Sequence, residues 1–150
     1  MARNFIVDEK PDVVVDIIDT SNLERNLYLA VQLVETGIPL VFAFNMSDEA
    51  RARGYEFDIE RFSQFFNAPV VKTVGHKGEG IDELTEKIVA VASLREGSHD
   101  KPVVNYGAEV EEEIKKIMPM LEQHFPMTDR YVWRWLALKL LENDRDIRDK

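Results

Sequence analysis

The 150-residue chain predicts an α/β fold, three parallel strands with intervening helices, followed by a small all-helical domain. Three observations carry that expectation. Three short apolar runs, rich in β-branched and aromatic residues, recur through the first half, each with a proline at or just ahead of it. Segments of helical period separate them. Past residue 95 the strand signal stops and only helical patterns remain.

The runs 13–18, 39–44 and 69–74 are almost continuously apolar, the pattern of strands buried on both faces of a parallel sheet. Between the first two, Ser21-Asn22-Leu23-Glu24 reads as a capping box opening a helix to residue 35. Its stripe is Leu23, Leu27, Ala30, Val31 and Val34, and Gly37 supplies the stop. A second helix is expected over 59–66 with Asp58 as cap. A third spans 81–94, with Leu84, Ile88, Val91 and Ala92 facing inward. Alternation of this kind makes right-handed crossovers.

Residues 96–108 read as a linker dividing a unit over 1–95 from a helical domain over 109–150. Its first helix, 109–125, places Val110, Ile114, Ile117, Leu121 and Phe125 on one face, with a kink expected at Pro119. Its second, 129–143, follows a cap at Thr128 or Asp129 and presents Val132, Trp135, Leu136, Leu140 and either Trp133 or Leu141. Both tryptophans are expected to be packing residues. The acidic stretch 109–113 is read as favourable charge at a helix N-terminus.

Composition narrows the function. A formal net charge of -9 argues against nucleic acid or anionic lipid as partner. The absence of cysteine removes disulfides, thiol nucleophiles and thiolate metal sites. No apolar run approaches the roughly 20 residues that span a bilayer, so a soluble piece is expected. His76, His99 and His124 are scattered, and no metal site is assigned.

The chemistry-bearing residues sit where strands end. The second strand runs into Asn45-Met46-Ser47-Asp48, an N-x-x-D pattern. An ionised Asp accepts two hydrogen bonds from the N1–H and N2 amine of guanine, whereas adenine leaves it unpaired. The pattern alone equally suits a turn at Asn45 and a helix cap at Asp48. After the third strand comes the glycine-rich turn Thr73-Val74-Gly75-His76-Lys77-Gly78-Glu79-Gly80. Ligands of open α/β sheets bind beyond the carboxyl ends of the strands, where these two loops would face one base.

In that order the two loops resemble the fourth and fifth guanine-recognition motifs of Ras-like GTPases. The runs Asp19-Thr20-Ser21-Asn22-Leu23-Glu24-Arg25-Asn26-Leu27 and Arg134-Trp135-Leu136-Ala137-Leu138-Lys139-Leu140-Leu141-Glu142 are similar to phrases of the ferrous iron transport protein B family. The resemblance covers nearly the whole chain. It implies a partial Ras-like G domain, entered just after the second switch, and the helical domain that follows it. Asn45, Met46, Asp48, Val74, Gly75 and His76 would then bind guanine, with the N–H of Gly75 or His76 approaching O6. Met46 stands where many GTPases have Lys and supplies the apolar contact without the charge. Val74 and Gly75 replace the usual Ser-Ala, and the lost hydroxyl implies weaker bracing and lower base affinity.

The sequence contains no G-x-x-x-x-G-K-[ST] phosphate loop and no second-switch D-x-x-G ahead of the first strand. No catalytic residue is therefore assigned. GTP hydrolysis is not expected, GTP or GDP binding is expected to be weak or absent, and Mg²⁺ belongs only to the complete domain. The implied partners are guanine nucleotide and a parent membrane domain, with this piece on its cytoplasmic face. A homo-oligomer through the uncovered strand 13–18 is also expected. A different Ras-like GTPase and a non-enzymatic α/β interaction scaffold are the alternatives.

Overall fold

The three apolar runs do pair as parallel strands in a computed structural model, whose described residues are 6, 9, 11–93, 104–124 and 130–144. The elements are β1 (Val14–Asp19), α1 (Leu23–Glu35), β2 (Leu40–Asn45), α2 (Ser47–Ala52), α3 (Ile59–Phe66), β3 (Val70–Lys72), α4 (Ile81–Ala92), α5 (Ala108–His124) and α6 (Arg130–Leu141). Sheet order is β1-β2-β3. The register sets Asp19 beside Asn45 and Phe44 beside Lys72, so the strands' carboxyl ends form a common rim.

Only the central strand matches the expectation of two buried faces. Leu40, Val41, Phe42, Ala43 and Phe44 are all buried, whereas Ile17 on β1 is 65% exposed. The reason is positional: among the described residues β1 pairs on one side alone, and the face carrying Ile17 is left open. On the other face Val14 and Ile18 join a core built on β2, α1 and α3. Its centre is aromatic. Phe62 meets Phe42 and Phe44 edge-on at centroid distances of 5.2 and 4.9 Å, the arrangement the ring quadrupoles favour.

The capping box at residues 21–24 does not form. The Asp19 carboxylate instead accepts from the Ser21 N–H at 2.8 Å and the Ser21 hydroxyl at 2.7 Å, winding Thr20–Asn22 into a single 3-10 turn. Ser21 thus spends its hydroxyl on the strand end, and α1 begins after Asn22 without a side-chain cap. The far end behaves as expected. Gly37 takes φ 71° and donates to the Val34 carbonyl at 3.0 Å, satisfying a terminal acceptor. Along the helix Ala30 and Val34 are buried as expected, joined by Leu33.

Asp58 caps α3 through the Arg61 N–H at 2.9 Å. The short helix α2 answers to the reading of Asp48 as a helix cap, except that Asp48 lies inside its first turn and Met46 holds the cap position. On α4, Val91 is buried and Leu84 and Ile88 are half-buried, but Ala92 is exposed.

A second core joins Ile114 and Leu121 of α5 to Trp133, Ala137 and Leu138 of α6. Leu140 and Leu141 are exposed, contrary to the expected α6 face. That face is displaced because α6 packs on two sides, against α5 and against α1. Both tryptophans are consequently buried. Helix α5 runs unbroken through Pro119. Phe125 and the side chain of Val132 lie outside the described residues, as does most of the expected linker.

Candidate functional site

The carboxyl rim of the sheet brings the two motif loops together. Asn45 ends β2 with its side chain turned toward the loop after β3: Oδ1 accepts from the Gly75 N–H at 2.9 Å and the Thr73 hydroxyl at 3.4 Å. The loops also meet through backbone, Ser47 N–H donating to the Thr73 carbonyl at 3.3 Å. From the β1 side, the buried Thr20 hydroxyl donates to the Asn45 carbonyl at 2.6 Å. Asn45 is thereby held from both neighbouring strands. Its amide Nδ2 carries no hydrogen bond among the described residues and remains a free donor.

Met46 supplies the turn between β2 and α2 in the left-handed region, φ 59°, and is 38% exposed. Holding a non-glycine residue there is unfavourable unless the surroundings impose it. Here the Ser47 hydroxyl does so, closing the turn onto the Phe44 carbonyl at 2.6 Å. Asp48 then falls in the first turn of α2, accepting from the Glu49 N–H at 3.0 Å through Oδ1. Its Oδ2 accepts from Lys77 Nζ at 2.6 Å. That bond holds the Asp48 carboxyl below, and the Lys77 ammonium above, their ordinary ranges.

The glycine-rich loop has its own frame. Val74 is buried and its N–H donates to the Glu79 carbonyl at 3.0 Å, a bridge that closes the turn through backbone where a serine hydroxyl is absent. Gly80 is obligatory: a Cβ there would lie 2.1 Å from the Lys72 carbonyl oxygen, at φ 79°. Gly75 N–H is committed to Asn45, so of the two expected O6 donors only the His76 N–H is uncommitted among the described residues.

All six candidate residues therefore belong to one rim. Sequence reasoning missed Thr20 and Lys77. Thr20 could have been found from the parallel register, which sets Asp19 beside Asn45 and so brings the next residue to the rim. Lys77 carried no local signal. A cleft of about 400 Å³ between the 20–25 turn and Tyr55 and Phe57 contains none of the six residues and adjoins the rim only through Thr20. Among the described residues no helix is long and apolar enough to cross a membrane.

Comparison with known proteins is consistent along the chain. The family model for ferrous iron transport protein B matches residues 1–88, and that for the FeoB cytosolic helical domain matches 106–150. The chain is 36% identical to the Fe(2+) transport protein A/Fe(2+) transporter FeoB fusion protein of Porphyromonas gingivalis, over 97% of its own length and 17% of that protein. Against the Fe(2+) transporter FeoB of Escherichia coli K12 the identity is 32%, over 96% of this chain and 18% of the other. The chain thus spans less than a fifth of these relatives. Among solved structures, the cytosolic domain of T. maritima FeoB in a GDP form superposes with TM-score 0.87 at 32% identity, covering 99% of this chain and 57% of that one. An mGMPPNP-bound NFeoB from S. thermophilus gives 0.84 at 30%, covering 99% and 54%.

Proposed function

From the premise that this chain belongs to the ferrous iron transport protein B family, we propose that its sheet rim is the base-reading half of a guanine-nucleotide site. Asp48 accepts from guanine N1–H and the N2 amine. The free Asn45 amide donates to the imidazole side of the base. The His76 N–H faces O6, and Met46 packs its apolar stem on the ring. The observation that supports this most is the Asn45 Oδ1 to Gly75 N–H bond at 2.9 Å, which couples the two loops. Solved relatives described as holding GDP and GMPPNP support the nucleotide class.

Phosphate-directed chemistry is not part of this reading. Mg²⁺ in such sites is held by the hydroxyl of a phosphate loop that this sequence lacks, and the described residues contain no cluster of three or more His, Asp or Glu to replace it. These 150 residues taken by themselves are accordingly expected to bind nucleotide weakly and not to turn over GTP. In the longer protein, ferrous iron uptake by a membrane domain would be governed from the cytoplasmic side. The contact of α1 with α6 would relay the state of the rim into the helical unit.

Titration with GDP and ADP, followed by amide chemical shifts, tests the site. GDP should shift residues 45–48 and 73–78, ADP should not, and Asp48→Ala should remove the difference. Equal shifts from both nucleotides would overturn base reading, and no response to either would leave only the scaffold reading. The open face of β1, with Ile17 exposed, and its edge, unpaired among the described residues, favour self-association. Light scattering at increasing concentration should detect it, and Ile17→Lys should abolish it.

A further inference from the structure

Lys77 lies in the glycine-rich turn but is none of the six candidate base readers, and its side chain makes a further tie between the loops beside the Asn45 bonds to Gly75 and Thr73. Its ammonium lies 2.6 Å from Asp48 Oδ2, while Asp48 Oδ1 already accepts from the Glu49 N–H at 3.0 Å. Both oxygens of the proposed base reader thus carry a donor. The Glu49 bond is local, made to the next residue's N–H within the first turn of α2. The lysine bond is different. It comes from the other loop, on a flexible four-carbon stem, between side chains 47% and 29% exposed.

We propose that Lys77 is an affinity- and specificity-setting residue of the guanine site: its ammonium occupies the Asp48 carboxylate in place of the base's N–H donors and must move for guanine to bind. This rests on the reading of the rim given above. The swap exchanges donors at one acceptor: the single Lys77 N–H···O⁻ bond is given up and two N–H···O⁻ bonds from guanine are made, with the Glu49 N–H still on Oδ1. Guanine offers two donors in fixed geometry and can displace one ammonium. Adenine presents an acceptor at N1 and no amine at C2, so it cannot. An exposed ion pair is weak, so the toll on guanine is correspondingly small. It also fades with salt, which screens exposed charges beyond about 8–10 Å at moderate ionic strength and loosens the pair itself.

Guanosine, which carries no phosphate charge, is the probe of choice, titrated into the full chain and read by amide shifts of residues 45–48 and 73–78. Lys77→Met should bind guanosine about two- to fivefold more tightly than the parent chain, the range an exposed pair supplies. Adenosine affinity should stay unchanged. Added salt should strengthen guanosine binding to the parent and leave Lys77→Met flat. Adding Asp48→Asn to Lys77→Met should erase the gain. Equal or weaker guanosine binding by Lys77→Met, with the parent still preferring guanosine to adenosine, would overturn the role of Lys77 while sparing the base-reading site. Absence of any guanosine preference in both proteins would remove the site and this role together.

Discussion

Asp16 is the residue least expected in its position. On β1 it alternates with Val14 and Ile18 toward the aromatic core, 7% exposed, and its Oδ2 is buried with no hydrogen-bond partner among the described residues. Burial pushes its carboxyl from 3.8 up to about 6. The native state therefore holds this proton more tightly than the unfolded chain, and native stability is lost as pH rises from 3.8 through 6. Asp16→Leu should stabilise the chain at pH 8 by at most roughly 3 kcal/mol and have little effect below pH 4. Urea denaturation at the two pH values checks it; an equal effect at both would show that charge burial is not the cause. Gly80 carries the opposite sensitivity. A methyl group 2.1 Å from the Lys72 carbonyl must push β3 away, so Gly80→Ala should cost more than about 2 kcal/mol. Thermal melting would register that loss, and a melting point unchanged from the parent would contradict the geometry.

At the scale of elements, α5 and α6 are joined by more than apolar packing. The Arg134 guanidinium meets both Glu111 carboxylate oxygens, at 2.8 and 2.7 Å, and donates to the Val104 carbonyl at 2.8 Å. Those contacts tie the start of α5, the segment ahead of it and the middle of α6 to one planar group. Lysine cannot reproduce the fork, so Arg134→Lys should cost roughly 1–2 kcal/mol and loosen residues 104–107 in hydrogen exchange. Glu111 also illustrates how far local reading reaches. Its stretch was legible as favourable N-terminal charge, but its partner lies on another helix and left no trace in the local pattern. The same holds for α6, whose helical period was plain while its buried face was set by contact with two neighbours.

Across the whole molecule, the α1–α6 contact concentrates charge. Lys139 is fully buried and bonded to Glu142 at 2.6 Å. Burial raises the nearby Glu35 carboxyl from 4.5 to about 7, with Lys139 opposing that rise only in part. Glu35 and Asp16 have the same sign: each removes native stability as pH climbs through its raised value. Asp19, Asp48 and Glu111 are held below their ordinary ranges by hydrogen bonds from Ser21, Lys77 and Arg134. Their contributions exist above the unfolded values and vanish as pH falls through the folded ones. Above the unfolded values the lowered groups add nothing further while the raised ones are being lost, which places the stability maximum at roughly pH 4–4.5. A urea midpoint profile across pH 3 to 9 should peak there, and Glu35→Gln should flatten its alkaline side. A peak at pH 8 would refute this assignment.

The sequence by itself determined the three strands, the helices between and after them, and the two loops that carry the base-reading chemistry. Hydrophobic period, glycine placement and motif spacing are local properties, readable from neighbouring residues. Tertiary structure alone decided that β1 is open on one face. It alone turned α6 inward on two sides and set Lys77 against Asp48. Each of those outcomes depends on which groups distant in the chain compete for the same hydrogen bond or the same apolar surface, and that competition is settled only when the elements pack.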